Sequence, residues 1–531
     1  MTTLRRRLAL VAPLLLALVP LPPLAGQLGP VSTQFWSAGS PDLVTSPQAL
    51  ALLGSALAAG DFDCDGFDDL AVGIPDDDDN NGALADTGFV LVVYGSASGL
   101  VAADHQVWDQ QSLAQEVEEA DDRFGAALAA GDFDDDGCDD LAIGSPDEDI
   151  GTETDAGGLQ IVYGSSLGLV TDGNAFFRQG TGGVSGAPEA ADRFAASLAI
   201  GDFDDDGFDD LAIGVAGESI GAVTEAGAVH ILFGSAAGLS GPSELLLYRG
   251  SELPGTPREG ERLGAALAAG QFGGSLPGQD LAIGAPGSNG FDNDVEAEGL
   301  VFVYRDVGAG LVVGQFTQSS PGVPGNSEPF DFFGLTLAAG DFDGDGFDEI
   351  AVGSPGENLE GEAVANAGAV TVLDIDAGLH FLLLQSDFPF EEPSEADEFG
   401  SVLVAGDFDA DGADDLALGV PFEDLGPVTT TGIVHVIHGA AGVGLSLATA
   451  SNWLQTIDPS EVGDGFGFAL AAGRFAGHSG QDLAIGAPGE TVSSEVAAGA
   501  WNVVYSEALF RDGFETQAHC NWSSSVGAPT C

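Results

Sequence analysis

Five short stretches of this chain place carboxylates where they could share one hard cation. One runs Asp132, Asp134, Asp136, Gly137, Asp140, so side chains at positions 1, 3, 5 and 9 of a tight loop converge while glycine at position 6 permits the turn. The set recurs as Asp61, Asp63, Asp65, Gly66, Asp69; as Asp202, Asp204, Asp206, Gly207, Asp210; as Asp341, Asp343, Asp345, Gly346, Glu349; and as Asp407, Asp409, Asp411, Gly412, Asp415. The backbone carbonyl of position 7 would complete each set, from Phe67, Cys138, Phe208, Phe347 and Ala413. Carboxylates this close repel unless a cation lies among them, and a flexible all-oxygen set suits calcium better than magnesium, which prefers strict octahedral geometry and retained water. About five calcium ions per chain are expected.

The helix–loop–helix calcium hand opens with the same Asp-x-Asp-x-Asp-Gly but needs a bidentate Glu at position 12. Here position 12 is Val72, Ile143, Ile213, Val352 and Leu418, all apolar, and the closing carboxylate has moved to position 9. Each loop therefore reads as a strand-to-strand turn. Two further copies keep the frame without the ligands: Gln271-Phe272-Gly273 leads to Asp280, and Arg474-Phe475-Ala476 leads to Asp482. These are expected to be metal-free, with Arg474 supplying positive charge in place of a cation.

The elements that must hold these loops repeat with them. The phenylalanine after each first position falls at Phe62, Phe133, Phe203, Phe272, Phe342, Phe408 and Phe475, at spacings of 71, 70, 69, 70, 66 and 67 residues. That length suits one four-stranded propeller blade with generous loops. In the second unit the strand signals are Gln106–Trp108, Gly125–Gly131, Leu141–Gly144 and Gly158–Gly164. The strand before the loop, Ala126-Ala127-Leu128-Ala129-Ala130, would favour helix on propensity alone. Small side chains are also what the crowded axis of a propeller can hold, and glycine marks close backbone approach, so it is read as the innermost strand. The fold expected is all-β: a seven-bladed β-propeller of four-stranded antiparallel blades. Its ring would be closed by Gln34-Phe35-Trp36, an outer-strand signal lying ahead of the first loop, which completes a last blade whose third strand is Trp501–Tyr505.

Phe124-Gly125 with Gly144-Ser145-Pro146, Phe333-Gly334 with Gly353-Ser354-Pro355, and Phe466-Gly467 with Gly486-Ala487-Pro488 bracket the aspartate loops. In these residues the chain resembles the FG-GAP repeats of the integrin α-subunit propeller, from about Gln34 to Tyr505. Departures are Ala195, Ala216 and Leu263, besides the lost ligands at Gln271, Gly273, Arg474 and Ala476. The resemblance implies calcium on one face and recognition of extracellular partners on the other. The inserted adhesion domain and the leg domains of integrins have no counterpart in the sequence, so adhesion by their mechanism is not implied.

Composition bounds the partners. Net charge is −72, with no lysine. Such acidity repels phosphate backbones and anionic headgroups even after five divalent cations bind, so nucleic acid is excluded as a partner. Arg5–Arg7, the apolar Leu8–Val19 and Leu24-Ala25-Gly26 read as a secretory signal, giving residues 1–26 as signal peptide, 27–506 as propeller and 507–531 as a short tail. The expected product is an exported protein, secreted, periplasmic or surface-held, with no membrane span and monomeric. Cys64 and Cys138 fall inside two loops and are expected to be spare, while Cys520 and Cys531 could close a small loop in the tail.

The seven scattered histidines form no His-x-x-x-His pair, and neither a Gly-x-Ser-x-Gly elbow nor a phosphate-cradling loop is present. The function expected is a calcium-binding recognition or adhesion module for an extracellular protein or polysaccharide. The alternatives are a secreted hydrolase or lyase acting on polysaccharide, and a passive surface or matrix protein. Strand direction puts the cation loops at one end of the ring, and the long connections between second and third strands at the other, with Asp76 to Asp79, Asp147, Glu148 and Asp149 among the acidic groups expected there as solvated contacts for a partner.

Overall fold

The computed structural model describes residues 33–506 apart from 41–42, 44–47, 79–83, 114–117, 274–277, 291–294, 306, 308–310, 359–363, 389–392, 425–427 and 456–460. Residues 1–26, expected to be a signal peptide, and 507–531, expected to be a tail and holding Cys520 and Cys531, lie outside the described residues. Those described form seven four-stranded sheets, each antiparallel throughout. In the first blade the order from the axis outward is Ala56–Gly60, Asp69–Ile74, Phe89–Tyr94 and Val101–Trp108. Among the described residues, helix amounts to single turns such as Gln110–Leu113.

The alanine-rich strands are innermost, as their side chains require. Each touches its counterpart in the next blade, and the contact between the first and last closes the ring. At Gly60 a Cβ would stand 2.8 Å from the Cβ of Ala130 in the neighbouring blade, closer than real Cβ contacts come. The second strands, such as Asp69–Ile74 and Asp210–Val215, are buried at every position, whereas the outer strands are half exposed. Outer strands run longer than expected. The signal at Gln106–Trp108 belongs to an eight-residue strand that starts at Val101 and passes through an irregularity opposite Val92 and Tyr94. Its first half, Val101 to Asp104, has no large apolar residues in alternation, and the irregularity interrupts the two-residue period, which hides the strand from the sequence.

The Phe-Gly and Gly-x-Pro motifs meet at blade boundaries. A Cβ on Gly73, in the second strand of blade 1, would lie 2.2 Å from the carbonyl oxygen of Gly125 in blade 2. Gly125 itself has φ 87°, and Ala195, where blade 3 departs from the motif, keeps that left-handed backbone at φ 68° despite its methyl group.

Thr33–Ser37 pairs antiparallel with Ala500–Val504, from Thr33 opposite Val504 to Ser37 opposite Ala500, completing the seventh sheet as expected. Trp36 stacks on Trp501 with ring centroids 5.9 Å apart. The Tyr505 hydroxyl donates to Gln34 and accepts the Leu100 N–H of blade 1 at 3.0 Å, so one side chain ties the last blade to both the closing strand and the first blade.

Candidate metal centres

Each loop turns because two of its residues take left-handed backbone. Position 4 does so in all five (Cys64 55°, Asp135 53°, Asp205 59°, Gly344 68°, Ala410 61°), and position 6 is a glycine, Gly66 at φ 91° for example. A Cβ on Gly66 would meet nothing within 4 Å, so conformation alone selects glycine there. The position 1 carboxylate then caps the turn: Asp61 accepts the N–H groups of Asp65 and Gly66, both at 2.9 Å. Position 5 accepts the N–H of position 7, at 3.0 Å from Phe67 to Asp65 and likewise from Cys138, Phe208, Phe347 and Ala413 in their loops.

All five loops gather three or more ligand atoms within 4.8 Å of one another. The trios are Asp61, Asp63 and Asp69 in blade 1, and Asp341, Asp343 and Glu349 in blade 5, which are positions 1, 3 and 9. In blades 2 and 3 they are positions 1, 3 and 5: Asp132, Asp134 and Asp136, and Asp202, Asp204 and Asp206. Blade 6 combines Asp409 and Asp415 with His438, a residue whose place at the end of a third strand suggests only a packed or solvent-facing role. The Oδ1 of Asp134 is buried without a hydrogen-bond partner, an orphaned acceptor that a cation would satisfy.

Position 9 has a second task. Asp69 accepts the Phe62 N–H at 2.9 Å and the Gly95 N–H at 2.8 Å, latching the loop to the end of the third strand. Asp140, Asp210 and Asp415 do the same in their blades. Burial, reinforced by neighbouring carboxylates, pushes Asp69 and Asp140 up to about 8, Asp210 to about 7 and Glu349 to about 8. Ordinary carboxylates titrate near 4, so burial disfavours the charged form of these position 9 groups, and a divalent ion among them would favour it. Position 8 reaches across the boundary instead: Asp139 accepts the Asp61 N–H at 2.8 Å and Asp209 the Asp132 N–H at 3.0 Å.

The two degenerate loops keep the latch and lose the cluster. Asp280 accepts the Phe272 N–H at 3.0 Å, and Asp482 accepts the Ser506 N–H at 2.7 Å. In blade 4, Arg305 Nη1 donates to the Phe272 carbonyl at 3.4 Å and lies 3.2 Å from where a Cβ on Gly273 would stand. Position 3 there is thus faced by a guanidinium. In blade 7 His478 stands beside the latch, its Nδ1 3.8 Å from Asp482, and the Arg474 backbone N–H donates to Asp68 of blade 1 at 2.7 Å.

Two more expectations change. Cys64 and Cys138 are not spare: they form a disulfide joining the loops of blades 1 and 2, with Cα atoms 4.8 Å apart. They lie 74 residues apart in sequence, but consecutive loops lie side by side at the blade boundary. On the opposite face, Asp77 and Glu148 are buried rather than solvated. Gln48 donates to Asp77 at 3.0 Å and Gln110 to Glu148 at 2.5 Å. The same contact recurs as Gln179–Glu218, Gln318–Glu357, Gln385–Glu423 and Gln455–Glu490, a blade-to-blade brace. Asp76 and Asp147 are engaged by Arg123, and Asp147 also by Arg193, while Asp79 lies outside the described residues.

The FG-GAP repeat family matches at 53–93, 124–162, 194–232, 333–373 and 399–437, which are the five blades with complete loops. Integrin alpha-PS2 of Drosophila melanogaster is 29% identical over 248 residues, covering 42% of this chain and 15% of the integrin. Human phosphatidylinositol-glycan-specific phospholipase D is 31% identical over 174 residues, covering 30% of this chain and 19% of the enzyme. The matched region thus spans under a fifth of either relative. The solved exotype rhamnogalacturonan lyase YesX aligns over 89% of this chain and 76% of its own at 12% identity, with a TM-score of 0.40. With seven blades and five matched repeats in place, the chain is an FG-GAP repeat protein whose propeller resembles that of the integrin α subunits.

Proposed function

We propose that this protein is an exported calcium-binding propeller that recognises an extracellular protein or polysaccharide on the face opposite its cation loops. The observation that carries the reading is a cavity of about 780 Å3 on that face, where Arg193, Glu225, Arg262, Phe332 and Leu335 meet. Arg123, Arg193 and Arg262 hold the same place in successive blades, at φ 55°, 57° and 58°, and so set a basic arc on a chain of net charge −72. Arg193 and Arg262 pair with Asp147 and Glu225 yet remain 58% exposed, free to exchange those partners for a ligand's. Exposed Phe330 and Leu335 add apolar surface beside them.

The cation loops give this face its rigidity. Calcium would be held by the carboxylates at positions 1, 3, 5 and 9 and the position 7 carbonyl of each complete loop, fixing the blade ends from which the recognition loops spring. Support for export comes from the Cys64–Cys138 disulfide, a bond that persists in oxidising compartments. Among the described residues no helix is long and apolar enough to cross a membrane.

The test is a binding screen of the calcium-loaded protein against extracellular polysaccharides and matrix proteins, followed by the double variant Arg262→Glu, Leu335→Asp. A tenfold or greater loss, about 1.4 kcal/mol, with unchanged melting supports the reading. Binding that survives this variant and is lost in Asp134→Ala overturns the choice of face, and no ligand in the screen overturns the recognition role.

A further inference from the structure

The third strand of each blade ends beside the cation loop, and the residue at that end differs from blade to blade. It is Tyr94, Tyr163 and Phe233 in blades 1 to 3, Arg305 in blade 4 and His438 in blade 6, and, one residue past the strand, Asp374 in blade 5 and Tyr505 in blade 7. The tyrosines point to the next blade: a Cβ on Gly168 would collide with the Tyr94 hydroxyl, and one on Gly99 with that of Tyr505. His438 turns the other way. Its Nδ1 lies 3.1 Å from Asp415 Oδ2 and 3.7 Å from Asp409 Oδ2, and the three ligand atoms fall within 4.8 Å of one another. The imidazole is 9% exposed, and its buried Nδ1 faces the Asp415 carboxylate without a well-aligned hydrogen bond. A buried ring nitrogen aimed at two carboxylates needs a proton or a metal.

We propose that blade 6 is a mixed nitrogen–oxygen centre that takes a transition divalent cation, Zn2+ or Mn2+, through His438, Asp409 and Asp415. Calcium takes oxygen ligands, so an imidazole gives it little, whereas Zn2+ and Mn2+ gain a good ligand without losing the carboxylates. Asp415 is held by the N–H groups of Phe408 at 2.9 Å and Gly439 at 2.9 Å, which orients it as outer partners orient metal-binding carboxylates. A cavity of about 390 Å3 between blades 6 and 7, bordered by Asp409, His478 and Ser506, gives an ion a route in. The other four complete loops offer oxygen alone, so one chain would carry two classes of site.

The inference rests on the cation reading of the loops, and the experiment separates the two. The full chain is saturated with calcium to fill the oxygen-only loops, then titrated with Zn2+ by calorimetry and with Mn2+ under pulsed electron paramagnetic resonance. The comparison variant is His438→Phe, since blade 3 carries Phe233 at this place, with His438→Gln as a second in case the first misfolds. One tight Zn2+ equivalent and nitrogen coupling to Mn2+ are expected. Both should be lost in the variants, with Zn2+ affinity falling on the order of 10- to 100-fold or more. Calcium binding that is unaltered while Mn2+ shows no nitrogen coupling, or Zn2+ affinity that is equal or higher in the variants, overturns this proposal alone and leaves His438 as an ion-pair partner of Asp415. Failure of calcium itself to bind anywhere overturns the cation reading as well.

Discussion

Blades 2 and 4 differ in what fills the space between first and second strands, and agree in almost everything else. Blade 2 packs Asp132, Asp134 and Asp136 into a cluster, while blade 4 has Gln271 and Gly273 and turns Arg305 toward the same place. Yet Asp140 and Asp280 accept the same N–H, that of the loop phenylalanine, each at 3.0 Å. Asp209 and Asp348 reach back to the first loop residue of the preceding blade in the same way. The blade is thus held by its position 8 and 9 side chains, and a cation would answer a problem that the remaining aspartates create. Where blade 4 lacks those aspartates it keeps the latch.

The largest effect should come from blade 7, which lacks a cluster and is also made from both ends of the chain. Deleting Thr33–Ser37 exposes the edge at Ala500–Val504, and we expect aggregation or loss of cooperative unfolding, read by light scattering and calorimetry. A deletion variant that stays monodisperse with wild-type melting would show that the seventh blade stands without its outer strand.

Next in size is the exchange of ligand for latch. Chelation should lower the melting temperature, since each site held at 100 times its dissociation constant contributes about 2.7 kcal/mol. Asp134→Ala should lose stability in calcium only, and in chelator be neutral or better because repulsion is relieved. Asp280→Ala should cost about 1–3 kcal/mol with or without calcium, because it strands the buried Phe272 N–H. Denaturant titrations of both variants in both conditions decide it; equal calcium dependence of the two would erase the distinction.

The pH dependence sharpens the same contrast. Burial raises Asp69 and Asp140 to about 8, above the unfolded value near 4, so the folded chelated protein binds more protons than the unfolded one between those limits. Its stability should be highest at the acid end of this window for these groups and fall as pH rises through 8. Calcium should remove that loss by favouring the ionised form. Chemical denaturation at pH 5 and pH 8, with and without calcium, is the measurement, and a chelated protein that gains stability toward pH 8 would contradict it.

The smallest effect belongs to Arg305→Gln. A part-buried guanidinium on a single carbonyl at 3.4 Å should contribute about 1 kcal/mol or less, independent of calcium. A loss of several kcal/mol would mean that blade 4 depends on its built-in cation as the others depend on a bound one.

The frame was legible in the sequence because its chemistry sits in rare residue types at fixed offsets. Aspartates at alternating loop positions, a glycine with left-handed backbone and glycines such as Gly73 that admit a neighbour's backbone all leave local marks. The closing strand was legible for a different reason: Gln34-Phe35-Trp36 matched outer strands elsewhere and had no blade of its own. What escaped were pairings between blades. Nothing near Glu148 says that Gln110 will bury it, and Cys64 and Cys138 meet only once two loops lie side by side. His438 escaped because it ends a third strand, where it reads as one more buried residue, and its partners come from the loop between the first and second strands, more than twenty residues earlier in the chain.

The seam between Gln34 and Tyr505 spans 471 residues of chain. The closing strand Thr33–Ser37 therefore waits, unpaired, until Ala500–Val504 has been made. Until then six complete sheets can form but the seventh cannot, and the ring remains an arc with one exposed edge. Folding is accordingly a question of timing as much as of stability, because Thr33–Ser37 stays an unpaired strand for that interval. Joining the two ends and opening the chain between other blades would move the delay elsewhere in the ring without shortening it.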